Sequence, residues 1–148
     1  MRLSARSEYG LLALIDLAAA DGGSPVSARD LAGARGIPPA YLEQLLADLR
    51  RAGLARAVRG PHGGFALARP AGEITALEIV EALEGAIGPS VCATGTCERE
   101  SDCAAATVWT YVASAVRDAL SGFTLARLAA DQATLDRAPL TCMTRRTD

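Results

Sequence analysis

Apolar residues recur at helical spacing from Ser4 to about Ala20, at Leu11, Leu12, Leu14, Ile15 and Ala18, before Asp21-Gly22-Gly23 closes the run. This pattern predicts a first helix packed on a core. Ser27-Ala28-Arg29-Asp30 has the form of a capping box with Asp in place of the commoner Glu, and it opens a short helix through Ala34. Gly36-Ile37-Pro38-Pro39 makes a tight turn, after which Tyr41, Leu42, Leu45, Leu46 and Leu49 form one apolar face. Gly53 is placed as the left-handed stop of that helix. Two short helices joined by a Gly-containing turn, the second polar on its outer face, are the helix-turn-helix pattern.

The period then changes. Leu54 to Arg59 alternates, Gly60-Pro61-His62-Gly63-Gly64 turns, and Phe65-Ala66-Leu67 alternates again, which predicts a β-hairpin wing with a Gly-rich tip. Thr75-Ala76-Leu77-Glu78 starts another capped helix, in which Leu77, Val80 and Leu83 lead to Gly85. A polar loop from Gly88 to Cys103 follows, long enough without structure of its own to suggest function. Ala105, Val108, Trp109, Val112, Val116 and Leu120 then keep helical spacing over about four turns. So long a stripe has little left to cover it within one chain, so a homodimer helix anchored by Trp109 is the expectation. Leu125, Leu128, Ala129 and Leu135 suggest a shorter helix that packs back, and the tail from Ala138 is expected to be loose.

The expected fold is thus mainly α with a small β-hairpin wing. Its parts are a winged helix-turn-helix domain over 1–85, a cysteine loop over 86–104, a dimerisation helix and short packing helix over 105–137, and a flexible tail over 138–148.

A chain of 148 residues, half of them hydrophobic, can bury one proper core. Charged residues or Gly interrupt every apolar run before the ~20 residues needed to span a bilayer. The start, Met1 to Glu8, lacks the h-region of a secretory signal. A cytoplasmic location is the expectation, where clustered thiols more often hold metal than form disulfides. The net charge of −2 hides an asymmetry: residues 1–70 carry nine Arg against six acids, residues 71–148 six Arg against eleven. Arg50, Arg51, Arg56, Arg59 and Arg69 lie in a stretch with no acid at all. Glycines at the wing tip let backbone approach a phosphate, and Arg59 at its base suits a narrow minor groove. The alternative is a protein-binding module whose Arg residues form a solvated face. An enzyme is not expected, since the sole His, His62, lies on the wing and no acid–base–nucleophile set is present.

Cys92-x4-Cys97-x5-Cys103 places three thiols within a dozen residues, enough to wrap one small inorganic core. An iron–sulfur cluster is the favoured reading. A zinc site would normally add a His or fourth Cys, and neither lies close by in the chain. Redox-active or incidental thiols are the third possibility. Cys142, alone in the tail, is either a fourth ligand or incidental.

Ile37-Pro38-Pro39-Ala40-Tyr41-Leu42-Glu43-Gln44-Leu45 and Val58-Arg59-Gly60-Pro61-His62-Gly63-Gly64-Phe65-Ala66-Leu67 resemble the IscR/NsrR-type (Rrf-two) family of dimeric winged-helix iron–sulfur regulators. The likeness extends over nearly the whole chain. It implies that Tyr41 to Arg51 lies in a major groove and the hairpin in the adjacent minor groove. Glu43 and Gln44 match a base-reading pair, and Arg59 a minor-groove arginine. The chemistry agrees, because Glu accepts from cytosine N4 and Gln pairs bidentately with adenine. The other reading of Glu43 is an exposed carboxylate paired with a nearby Arg. Tyr41, Arg50, Arg51 and His62 complete the expected DNA contacts, with the Tyr41 ring partly in the core and His62 at a phosphate.

The chain also departs from that family. Where its relatives carry a His three residues after the third cysteine, this sequence has Ala106, and its first two cysteines are one residue closer together. The resemblance supplies a substitute ligand, Glu8, matching a carboxylate that NsrR-like proteins offer from the first helix of the partner subunit. Glu8 is otherwise a first-turn acid complementing the helix dipole, worth ~0.3–1 kcal/mol. Glu98, Glu100 and Asp102 are weaker candidates. The expected protein is a homodimeric transcription regulator, a repressor. Its binding to a double-stranded DNA operator is controlled by an iron–sulfur cluster, 2Fe–2S favoured over 4Fe–4S, that senses nitric oxide, redox or iron–sulfur status. No membrane and no small-molecule substrate are expected. The alternative is a cluster-free regulator or adaptor with a zinc or thiol-redox site.

Overall fold

The computed structural model describes residues 4–20, 24–88 and 103–137. Helix α1 spans Ala5–Ala19, and the Ser4 hydroxyl caps it by accepting from the Arg6 N–H at 3.1 Å. Gly10, Ala13, Leu14, Ile15 and Leu17 of α1 are buried, while Leu11 and Ala18 are half-buried against the same core. The burial is wider than one stripe because α1 is the hub of the fold, packed against four other helices and the second strand of the wing.

Helix α2, Ala28–Arg35, opens at Ser27, whose hydroxyl accepts from the Asp30 N–H at 3.1 Å and donates to the Asp30 carboxylate at 2.6 Å. Asp is one methylene shorter than Glu, and its carboxylate meets the Ser27 hydroxyl rather than the Ser27 N–H. Arg35 at the other end forks onto both oxygens of Asp16 in α1, at 2.5 and 2.9 Å, and that shared bond raises the Arg35 pKa. The fork fixes α2 against α1. Helix α3, Pro39–Arg51, follows Gly36, which adopts a left-handed conformation, and Ile37. Gly53 just past α3 has φ +73°, the conformation expected of a stop.

Strands β1, Ala55–Val58, and β2, Gly64–Leu67, pair antiparallel from Ala55↔Leu67 to Val58↔Gly64. The hairpin is sewn to the segment before α2 by reciprocal Val26–Phe65 backbone bonds of 2.9 and 2.8 Å. A Cβ on Gly64 would lie 2.4 Å from the Val26 carbonyl oxygen, so only glycine permits this approach. A 3-10 turn at Ala71–Glu73, not anticipated from the sequence, leads to α4, Ala76–Glu84, which begins with a complete capping box between Thr75 and Glu78.

Helices α5, Ala104–Ser121, and α6, Leu125–Arg137, complete the described residues. Leu125 is fully buried and Leu128 packs against the core that α1 and α3 share. In α5 the structure differs from the sequence pattern, because the apolar stripe is divided. Val116 and Leu120 are half-buried, whereas Ala105, Val108, Trp109 and Val112 are exposed, and Ala106, outside the stripe, is buried. The expected loose tail, 138–148, lies outside the described residues.

Helices α1 and α4 cross closely at Gly10, where a Cβ would lie 2.3 Å from Leu83 Cδ1. Beside this crossing Glu84 accepts bonds from the hydroxyls of Ser4 and buried Ser7, the latter at 2.5 Å, and the two bonds hold its carboxyl below the usual range. Burial pushes the Glu78 carboxyl up, but bonds from Arg69 and Thr75 outweigh it and the net direction is also down. A carboxyl depressed in the folded state contributes stability above its unfolded pKa, near ~4.3 for Glu, and loses it as pH falls through the folded value. Denaturant midpoints measured from pH 7 down to pH 3 are therefore expected to fall, and to fall less in Glu84→Gln. An identical pH dependence in that variant would contradict this account of the α1–α4 crossing.

Candidate nucleic-acid interface and thiol site

Four leucines orient α3. Leu42, Leu45, Leu46 and Leu49 are fully buried, and this turns Glu43, Gln44 and Arg50 outward, all three exposed. Tyr41 is half-buried, its ring edge-on to Tyr9 of α1 with centroids 6.2 Å apart, in keeping with the expectation of a ring partly in the core. The carboxylate on this helix that gathers arginines is Asp48, not Glu43. One oxygen of Asp48 takes Arg6 of α1 at 2.5 Å and the other takes Arg51. Arg6 also donates to the Leu83 carbonyl oxygen at the end of α4, at 3.3 Å, so one guanidinium joins α1, α3 and α4.

The wing presents Arg59 just after β1 and His62 at the tip, both exposed. The tip is tight, since a Cβ on Gly63 would lie 2.3 Å from the Val58 carbonyl oxygen. The acid-free stretch from Arg50 to Arg69 divides into two kinds of arginine. Arg51 pairs with Asp48, Arg56 donates to the Leu67 carbonyl oxygen at 3.2 Å, and Arg69 pairs with Glu78 at 2.6 Å. Arg50 and Arg59 are exposed and form no ion pair among the described residues. The interface cations are therefore fewer than the sequence suggests, and they sit at the end of α3 and the base of the wing.

The thiol site is only partly within the described residues. Cys103, a free thiol, is half-buried immediately ahead of α5, while Cys92, Cys97 and Cys142 lie outside, as do Glu98, Glu100 and Asp102. Ala106, one turn into α5, is 6% exposed and offers no donor atom. Glu8 is exposed on the first turn of α1, the turn that binds Glu84 through Ser4 and Ser7. Among the described residues no three His, Cys, Asp or Glu side chains lie together as a metal site. Ahead of the loop, Glu81 of α4 accepts both the Ile87 N–H at 3.2 Å and the Arg117 guanidinium of α5, which ties α4 to α5.

Sequence reasoning missed the Arg6–Asp48–Arg51 group. The i, i+3 spacing of Asp48 and Arg51 was legible, but the contribution of Arg6 arises only when α1 packs on α3.

Comparison with known proteins agrees with this architecture. Residues 3–131 match the family model Rrf2, described as an iron-dependent transcriptional regulator. The protein rrf2 of Nitratidesulfovibrio vulgaris is 39% identical over 133 residues, covering 88% of this chain and 89% of that protein. The structure of CymR (YrzC), the global cysteine regulator of B. subtilis, superposes with a TM-score of 0.75 at 34% identity, covering 88% of this chain and 98% of that one. The IscR of T. potens gives a TM-score of 0.74 at 34% identity, with 94% and 93% covered. The matched family is one of transcriptional regulators rather than enzymes, and the fold shared with these structures is the winged helix read from the periodicity. The chain belongs to the Rrf2 family of transcriptional regulators.

Proposed function

We propose that this regulator binds double-stranded DNA as a homodimer and that an iron–sulfur cluster controls the binding. The observation that carries the DNA reading is the outward face of α3 together with the wing, where Glu43, Gln44, Arg50, Arg59 and His62 are all exposed on elements fixed by a buried core. Glu43 and Gln44 read base edges. Arg59 enters the minor groove. Arg50, His62 and the Tyr41 hydroxyl hold phosphates, while Arg51 of the same helix is engaged by Asp48. Support for a homodimer comes from α5, where Val108, Trp109, Tyr111 and Val112 are 41–76% exposed, an apolar surface that a second copy would cover. Two reading heads joined this way would take two half-sites of one operator, and occupying an operator makes repression the simplest outcome.

Cys92, Cys97 and Cys103 would hold the cluster, with Glu8 of the second copy as the fourth ligand. Three soft thiolates suit iron–sulfur or zinc, and the one observation the described residues add is that Ala106 supplies no donor. When bound, the cluster would supply a centre that nitric oxide, oxygen or iron shortage can remove, with 2Fe–2S favoured. A second reading rests on the likeness to CymR, a cysteine regulator. In it the chain works without a cluster, through zinc or thiol oxidation. The site of action is the cytoplasm in either reading.

The DNA reading is checked with operator fragments selected from genomic DNA. Arg59→Ala should weaken specific binding by roughly 1–3 kcal/mol, whereas Glu43→Ala should mainly broaden base preference at the positions it reads. Unchanged affinity and unchanged preference in both variants would remove this face from DNA binding.

The cluster reading is checked by anaerobic purification with visible spectra and iron and sulfide assays. Ser replacement of Cys92, Cys97 or Cys103 should abolish or strongly destabilise the chromophore, and Cys142→Ser should retain it. Glu8→Ala should speed cluster loss and reaction with nitric oxide without unfolding the protein. A colourless wild type containing zinc would favour the second reading.

A further inference from the structure

We infer that Asp48 sets the sequence-independent part of the affinity of the DNA interface by withholding Arg51 from phosphate. The inference rests on the DNA-binding reading above and deepens it. At about 100° per residue, Arg51 projects between Ala47 and Gln44 on the exposed face of α3, roughly 10 Å along the axis from Gln44. By position it belongs to the reading face. Its guanidinium is nevertheless drawn to the flank of the helix, onto Asp48. The Asp48 side chain is 19% exposed, whereas that of Arg51 is 76% exposed, so the carboxylate is the fixed member of the pair and the arginine the movable one.

Arg6 is what fixes it. It occupies the other Asp48 oxygen at 2.5 Å while donating to the Leu83 carbonyl oxygen, so the carboxylate is held by α1 and cannot follow Arg51 outward. Arg51 must therefore break its ion pair to reach a phosphate. Phosphate contacts add affinity for every sequence alike, whereas sequence is read at base edges and through DNA shape. A carboxylate that competes for one arginine lowers the first contribution and leaves the second intact. The outcome is weaker binding to all DNA, random sequence included, with the discrimination between sequences unchanged.

The test measures binding of the full chain to a random-sequence duplex across a salt series, for wild type, Asp48→Asn, Arg51→Gln and the double variant, with thermal melts confirming that each is folded. Asp48→Asn should bind random DNA about fivefold to tenfold more tightly at 0.1 M salt, and its log–log salt slope should steepen by about 0.9, as one added phosphate contact requires. Arg51→Gln should match wild type, and the double variant should return to it. A wild-type slope in folded Asp48→Asn, or a double variant that stays steep, would overturn the assignment. So would a shallower slope in Arg51→Gln, which decides the matter even where Asp48→Asn does not fold. Wild type that binds no DNA would instead overturn the DNA reading itself, and this inference with it.

Discussion

The proposed reading face depends on the burial of four leucines on one side of α3. Each fully buried leucine is worth roughly 1.5–3 kcal/mol. Turning the helix by one residue, about 100°, would expose that investment and bring Glu43 or Gln44 into an apolar core. Leu42, Leu45, Leu46 and Leu49 thus fix the outward direction of Glu43, Gln44 and Arg50 more firmly than any polar contact does. The same core reaches through α1 to Leu83 of α4 and Leu125 of α6, so the recognition helix rests on an element from each part of the described chain.

Charge is arranged on top of that packing. The chain is acidic overall, with a net charge of −2, yet the face that carries α3 and the wing is arginine-rich. Three arginines of this region serve the fold, through Asp48, the Leu67 carbonyl and Glu78, and two are left exposed for a partner. Exposed ion pairs of this kind contribute little to stability, about 0–1 kcal/mol each. Their larger effect is to set how many cations the surface offers.

Much of the fold was legible because periodicity and end signals are local. The 3.6-residue repeat of α3, the Thr75–Glu78 capping box, the Gly53 stop and the Gly-rich wing all stand where the pattern placed them. What was not legible depends on tertiary packing. Leu125 and Leu128 read as a helix that packs back, and only the assembled core shows that α1 is what they pack on. The α5 stripe reads as one face, whereas in the fold Val116 and Leu120 are half-buried and Val108, Trp109 and Val112 stay uncovered. The structural duties of Arg56 and Arg69 depend on the hairpin register and on Glu78, both remote from a linear reading. At the thiol site the spacing of the cysteines spoke for itself in the sequence, while of the ligand set only Cys103 and Glu8 fall among the described residues.

The uncovered face of α5 joins these strands into one account. A helix with Val108, Trp109, Tyr111 and Val112 in water is unfavourable in a lone subunit, and in the proposed homodimer a second copy would cover it and supply the second reading head. The most direct measurement is the molar mass of the full chain by light scattering at micromolar concentration. The account predicts twice the 15.3 kDa chain mass, with Trp109→Asp shifting it toward one chain. A wild-type mass of one chain would contradict it.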